Sequence, residues 1–385
     1  MAGSIRKRGR GSWEVAINLG HDPISGKRKR RYANIKGSRK DAERALTVLL
    51  HERDTGTDVD PARITLAEWL GRWLGDVEHD VALSTFARYR QIVDDHLIPT
   101  LGSIRLQELR PVHVQGALSK WLTAGSRHDG SKAALSTRTV LHHYRLLHSA
   151  LSAAVKLQLL GRNVCHAVTP PRPPRKEIVV LDPDQVRRML EVAGQTPHHA
   201  FLHAAVHTGC RVGELLGLKW RDLDFGARKL FVRRTLKRIP GHGRVTGTPK
   251  TRRSERPISL SAGMVRTLEE HKRRQIEYRL SVGAAYQDED YVFAGPTGSP
   301  VDDANLRRSF GRILKDAELP EMTLHGLRHT SASLLLRAGE SPKTVAERLG
   351  HSSTSFTLDT YSWVLPDVQQ GAADALDDLI GERAS

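Results

Sequence analysis

Thr323-Leu-His325-Gly-Leu-Arg328-His329 is followed by Leu349-Gly-His351 and then by Asp359-Thr-Tyr361. Far upstream stands Thr208-Gly-Cys-Arg211-Val-Gly-Glu214. Apolar periodicity predicts helices over 326–338 and 342–349, with a Gly-His turn after the second. The C-terminal domain should therefore be mainly helical. His325 and Arg328 are three apart at a helix start and share a face. A turn can present His351 to the same place, and Tyr361 lies close enough in sequence to join it.

These residues suit attack on a phosphodiester. Its non-bridging oxygens gain negative charge in the transition state. Arginine stays charged and its fork matches two oxygens at once, which nominates Arg211 and Arg328. A free phenol, with a pKa of about 10, is a poor nucleophile at neutral pH. A cluster of cations would stabilise both its phenolate and the pentacoordinate oxyanion. Lys250, in Thr248-Pro-Lys-Thr251 on a predicted hairpin, suits protonation of the leaving oxygen. Glu214 can orient Arg211 or a histidine. Taken singly, each has a plainer reading. Arg211 and Glu214 read as a helix-surface ion pair, Tyr361 as a core tyrosine and Lys250 as a hairpin lysine. His325 and His329 have the i,i+4 spacing of zinc sites, yet no carboxylate or cysteine stands near to complete a metal sphere. Order and spacing together carry the reading. There is no Gly-x-x-x-x-Gly-Lys-Ser/Thr loop and no carboxylate constellation for two-metal catalysis, so neither cofactor nor metal is expected.

Composition narrows the partner. A net charge of +17 over 385 residues points to a polyanion, most often nucleic acid. Cys165 and Cys210 cannot form a disulfide framework, which suits a reducing cytosol. No apolar run approaches the roughly 20 residues of a membrane span, and no signal peptide is visible, so no membrane partner is expected.

Four segments follow. Residues 1–55 carry fourteen Lys/Arg against six Asp/Glu. Alternation over 13–19 and 28–34 predicts strands, and Ser38 with Asp41 predicts the cap of a helix behind them. Residues 64–165 read as four or five helices: Ser84 caps one running to about 96, another covers 112–122, and a long one runs from 136 toward 160. Arg88, Arg90, Arg138, His142, His143 and Arg145 give this bundle a basic surface. The proline-rich stretch 169–176 is a semi-rigid boundary. In the domain over 177–365, strands at 229–234 and 255–260 are joined by a hairpin. The tail, 366–385, is acidic, with an apolar stripe of Val368, Ala372, Leu376, Leu379 and Ile380 suited to packing on another subunit. The fold class is α+β and multidomain.

Gly-x-Arg-x-Gly-Glu, a hairpin lysine, His-x-Leu-Arg-His, Leu349-Gly-His-Ser-Ser353 and Leu358-Asp-Thr-Tyr-Ser362 together resemble the tyrosine recombinase family, specifically the phage-type integrases. The resemblance implies a site-specific recombinase that integrates or excises a mobile element through a 3′-phosphotyrosyl link. It implies Tyr361 as nucleophile, Arg211 and Arg328 as the phosphate clamp, Lys250 as general acid, His325 and His351 as hydrogen-bonding assistants and Glu214 in support. It implies a three-stranded arm-binding domain over 1–55, a helical core-binding domain over 64–165, and a homo-tetramer on double-stranded DNA in a bacterial cytoplasm, aided by a bending or directionality factor. Trp363 stands where relatives often carry histidine. An inactive DNA-binding regulator and a type IB topoisomerase-like relaxing enzyme are the alternatives.

Overall fold

Apolar residues alternate with polar ones along the second strand, Ser12–His21. In the computed structural model, β1 (Gly3–Gly9), β2 (Ser12–His21) and β3 (Arg28–Lys36) form an antiparallel sheet in the order β1-β2-β3. The structure describes residues 3–21, 26, 28–54, 64–124, 133–174, 177–247, 255–351, 353–361, 374 and 376–380. Val15 and Ile17 of β2 point to one face, where α1 (Arg39–Asp54) buries Ala42 and Leu49 against them. The other face carries Arg6, Glu14 and Asn34 side by side in register. Ser38 caps α1 as expected: its hydroxyl accepts from the Asp41 amide, and the Asp41 carboxylate accepts from the Ser38 amide. Periodicity alone did not reveal β1, a glycine- and arginine-rich run with little apolar alternation.

A helical bundle follows. It comprises α2 (Leu66–Val77), α3 (Leu83–Ile92), a π-helical turn at Val93–Leu97, α4 (Ile98–Leu101), α5 (Pro111–Ala124) and α6 (Thr137–Lys156). Leu66, Trp69, Leu70, Trp73 and Leu74 form the buried stripe of α2, whose start is closed by a Thr65–Glu68 capping box. Three expectations are corrected here. Ser84 lies inside α3, whose capping position is Ala82, with no side-chain cap. Helix α6 stops at Lys156, because Gln158 takes a left-handed φ of 56°. His143 is not on the basic surface: it is fully buried, stacked 4.3 Å from His96 and edge-on to Trp121.

The chain splits by its internal contacts at residues 175 and 176. The second unit contains α7 (Pro183–Ala193), α8 (His199–Thr208), α9 (Val212–Leu216), β4 (Leu223–Asp224), β5 (Lys229–Val232), β6 (Thr235–Ile239), β7 (Gly243–Gly247), β8 (Arg256–Ser259), α10 (Ala262–Val282), α11 (Asp303–Asp316), α12 (Leu324–Arg337), α13 (Pro342–Leu349) and α14 (Thr354–Tyr361). Phe201, Leu230, Ile258, Met264, Phe310 and Leu327 share its main core. The expected single hairpin is two structures: β5 pairs β8 in the sheet β4-β5-β8, and β6 pairs β7 as a separate ribbon. The chain leaves the first sheet after Val232, where Arg234 forms an ion pair with the buried Asp222. Of the tail stripe, Val368 and Ala372 lie outside the described residues, and Leu376, Leu379 and Ile380 are exposed.

Candidate active site

Helix α8 ends at Gly209, whose φ of 62° lets the chain reverse; an added Cβ would stand 2.3 Å from Leu349. The reversal places Arg211 at the cap of α9. Its amide and its Nη1 both donate to the carboxylate of Glu214, at 2.9 and 2.7 Å, and its Nη2 reaches the Gly350 carbonyl at 3.4 Å. Glu214 is 5% exposed, so this is no surface ion pair. Burial pushes its carboxyl up, but Arg256 and Arg211 outweigh that and hold it below the usual carboxylate range.

Helix α12 supplies three residues. Arg328 is buried, and its Nη1 donates to the Gly209 carbonyl at 2.8 Å. Its Nη2 is buried with no acceptor among the described residues. Burial, then the nearby Arg211, lower the guanidinium to about 10, so it remains charged at neutral pH. One turn earlier, His325 is exposed at one edge; partial burial, then Arg328 and Arg211, lower its imidazole. It meets His329 edge-to-face, with ring centres 5.0 Å apart.

His351 follows Gly350, a left-handed residue (φ 68°) closing α13. Its Nδ1 pairs with the Thr357 hydroxyl at 2.7 Å. Burial, then Arg328, Arg211 and Arg256, push it down to about 3. A cleft of about 470 Å³ opens beside it, lined by Arg256, Lys343, Glu347, Gly350 and Thr354 among others.

Tyr361 ends α14 and is 1% exposed, packed with Ala332, Leu336, Val345 and Leu349. Its hydroxyl lies 2.7 Å from Nδ1 of His329. Burial, with His325 and Arg328 beside it, pushes His329 down to about 4. At neutral pH its ring is uncharged and can accept the phenol's proton in a hydrogen bond. Burial raises the phenol to about 12, and Arg328 offsets only part of that, so without DNA Tyr361 stands as the neutral phenol.

The unit thus gathers Arg211, Glu214, His325, Arg328, His351 and Tyr361. Lys250 and Trp363 lie outside the described residues. Sequence reasoning missed two members. His329 was weighed only as a zinc ligand. Arg256 sits on β8 with its side chain 6% exposed and bonds Glu214 at 3.1 Å. The strand alternation held a signal: Arg256 shares the inward face with Ile258, and a buried arginine demands a buried acid.

A model of the phage integrase family matches residues 179–366, and one for the phage integrase N-terminal SAM-like domain matches 65–122. The chain is 29% identical to a "Tyrosine recombinase XerC-like" protein of Caldanaerobacter subterraneus, over 97% of each chain. It is 26% identical to the ICEBs1 integrase of Bacillus subtilis, over 98% of this chain and all of that one. Among solved structures, the Tn1549 transposon integrase bound to circular intermediate DNA superposes with a TM-score of 0.66, at 22% identity, over 81% of this chain and 99% of that one. A lambda integrase tetramer bound to a Holliday junction gives 0.57, at 19% identity, over 92% and 94%. At such identities the likeness to these two structures speaks to the fold.

Proposed function

The chain belongs to the phage integrase family and is a tyrosine-type site-specific DNA recombinase, and from that premise we propose how its own residues divide the reaction. The oxygen of Tyr361 attacks the scissile phosphorus as its phenolic proton passes to water. The Tyr–O–P bond forms, the bond to the 5′ oxygen breaks, and a 3′-phosphotyrosyl link remains. Lys250 gives the departing 5′ oxygen its proton. A 5′-hydroxyl from the partner duplex then attacks the link, its proton passing to the deprotonated Lys250, and the tyrosine leaves and takes up a proton from water. Each step exchanges one phosphate ester for another, so no external energy source enters.

Arg211 and Arg328 bind the non-bridging oxygens, and His351 and His325 donate further hydrogen bonds to them once the phosphate's charge draws protons onto the rings. Glu214 holds Arg211 in place. The observation that carries this reading is the buried Nη2 of Arg328, a charged donor without an acceptor among the described residues, beside a second guanidinium. Leaving such a group unpaired is costly, and an anionic oxygen would satisfy it.

The domains follow in the same reading: arm-type DNA binding over 1–55, core-type binding over 64–165, catalysis over 177–365, and subunit contact through 366–385. Lambda integrase forms a tetramer on a Holliday junction; four copies of this chain would exchange strands between two duplexes in the bacterial cytoplasm, with an accessory bending or directionality factor. A nicked duplex carrying the attachment site tests the proposal, because loss of the short cleaved strand traps the intermediate. Peptide mapping should find the nucleotide adduct on Tyr361; an adduct on any other residue contradicts the assignment.

A further inference from the structure

We propose that Arg256 is a positioning residue for strand cleavage, fixing Arg211 and His351 relative to one another without itself contacting the reacting phosphate. The inference rests on the function proposed above. Its Nη2 donates to one oxygen of Glu214 at 3.1 Å, and its Nε donates to the Arg348 carbonyl at 2.6 Å. The other Glu214 oxygen accepts Nη1 of Arg211, whose Nη2 reaches the Gly350 carbonyl. The result is a closed ring: Arg256, Glu214, Arg211, and the 348–350 turn back to Arg256. His351 is the next residue of that turn.

The turn and the guanidinium are in close contact. Gly350 has a φ of 68°, and a Cβ there would lie 2.9 Å from Nη1 of Arg256. The glycine therefore serves both the left-handed backbone and the close approach of the guanidinium. Arg348 braces the same turn in return, donating to the Ser259 carbonyl of β8 at 3.2 Å and to the His207 carbonyl at 2.8 Å.

Two consequences follow for the chemistry. A planar guanidinium can address a carboxylate and a carbonyl in different directions at once; an ammonium on a flexible stem holds that geometry less well. Glu214 is also shared between two arginines. Without Arg256 its buried charge would draw Arg211 into an exclusive pair and away from phosphate oxygens, while the His351 turn would lose its tie to Glu214.

Single-turnover adduct formation by the full-length protein on the nicked duplex tests this. The duplex is made with an ordinary scissile phosphate and, separately, with a methylphosphonate, which carries no charge and needs less cationic stabilisation. Arg256→Lys should react about tenfold or more slowly than wild type on phosphate. Its affinity for the duplex should stay within about twofold of wild type. Its deficit on methylphosphonate, relative to wild type, should be under about threefold. Equal deficits on the two substrates, or a wild-type rate on phosphate, overturn the proposal. If Arg256→Lys shows no cooperative melting, Arg256→Met combined with Glu214→Gln is compared with Glu214→Gln alone: because Arg256 acts through Glu214, the added change should slow the reaction on phosphate by less than about threefold, and a further loss of about tenfold overturns the proposal. A wild-type protein that forms no adduct on phosphate overturns instead the reading on which this rests.

Discussion

The hydroxyl of Tyr361 lies 2.7 Å from Nδ1 of His329, and the tyrosine around it is 1% exposed. The candidate nucleophile is thus held protonated and inside the core, within the electrostatic reach of Arg328. Attack on DNA requires this bond to open. His329→Leu should leave the phenol without its partner at a cost of about 1–3 kcal/mol. The variant should melt earlier, and nitration mapped by mass spectrometry should rise at Tyr361. Unchanged melting together with continued protection of Tyr361 would refute this hold.

Acid should weaken the fold through its buried histidines. His143 is lowered to about 3, chiefly by burial and then by His96; His329 and His207 are lowered to about 4, and His351 to about 3. Each binds a proton more readily unfolded, with an ordinary value near 6.5, than folded. The unfolded state therefore takes up more protons as pH falls. The stability these groups carry is complete above about pH 6.5 and declines from there toward pH 3 to 4. His143 is fully buried, and neither ring nitrogen has a hydrogen-bond partner among the described residues. His143→Phe should remove roughly 1–2 kcal/mol of the loss between pH 7 and 5 in thermal melts. An acid limb identical to wild type would contradict the burial argument.

The reading of the sequence succeeded where local rules govern. The Ser38 cap and the Leu-Gly-His turn each follow from a few neighbouring residues, and the sequential order of Arg211, Arg328, His351 and Tyr361 carried the site. What it could not supply was pairing over distance. Glu214 was legible as a support for Arg211, but its second partner, Arg256, is 42 positions away and was not. His329 had no role once its zinc spacing was set aside, because its contact with Tyr361 spans 32 residues. His143 read as exposed because helical spacing does not say that His96 would turn inward to stack on it. The ribbon of β6 and β7 was hidden by arginines whose ion pairs form only after the chain bends.

Glu214 anchors two arginines at once. Glu214→Gln keeps the shape and removes the charge, leaving Arg211 and the buried Arg256 sharing a neutral acceptor. Breaking a buried pair in this way costs about 3–5 kcal/mol. Denaturant melts should show that loss, and adduct formation should fall at least about tenfold under conditions where the variant is still folded. A stable variant with normal cleavage would show that the carboxylate's charge is dispensable.

The spare nitrogen of Arg328 should make the free protein sensitive to small anions. Inorganic phosphate at about five times its dissociation constant should stabilise the fold by about 1 kcal/mol, against chloride at matched ionic strength. Arg328→Lys should lose most of that gain, since a point charge replaces the fork. Equal stabilisation of both proteins would place the anion elsewhere.

The central claim is that Tyr361 forms the covalent bond to DNA. Wild type and Tyr361→Phe are incubated with the nicked attachment-site duplex and run on denaturing and native gels. The account predicts a denaturation-resistant adduct for wild type and none for Tyr361→Phe, while the native shift of the variant stays within about twofold of wild type. An adduct of wild-type yield from the phenylalanine variant would contradict it.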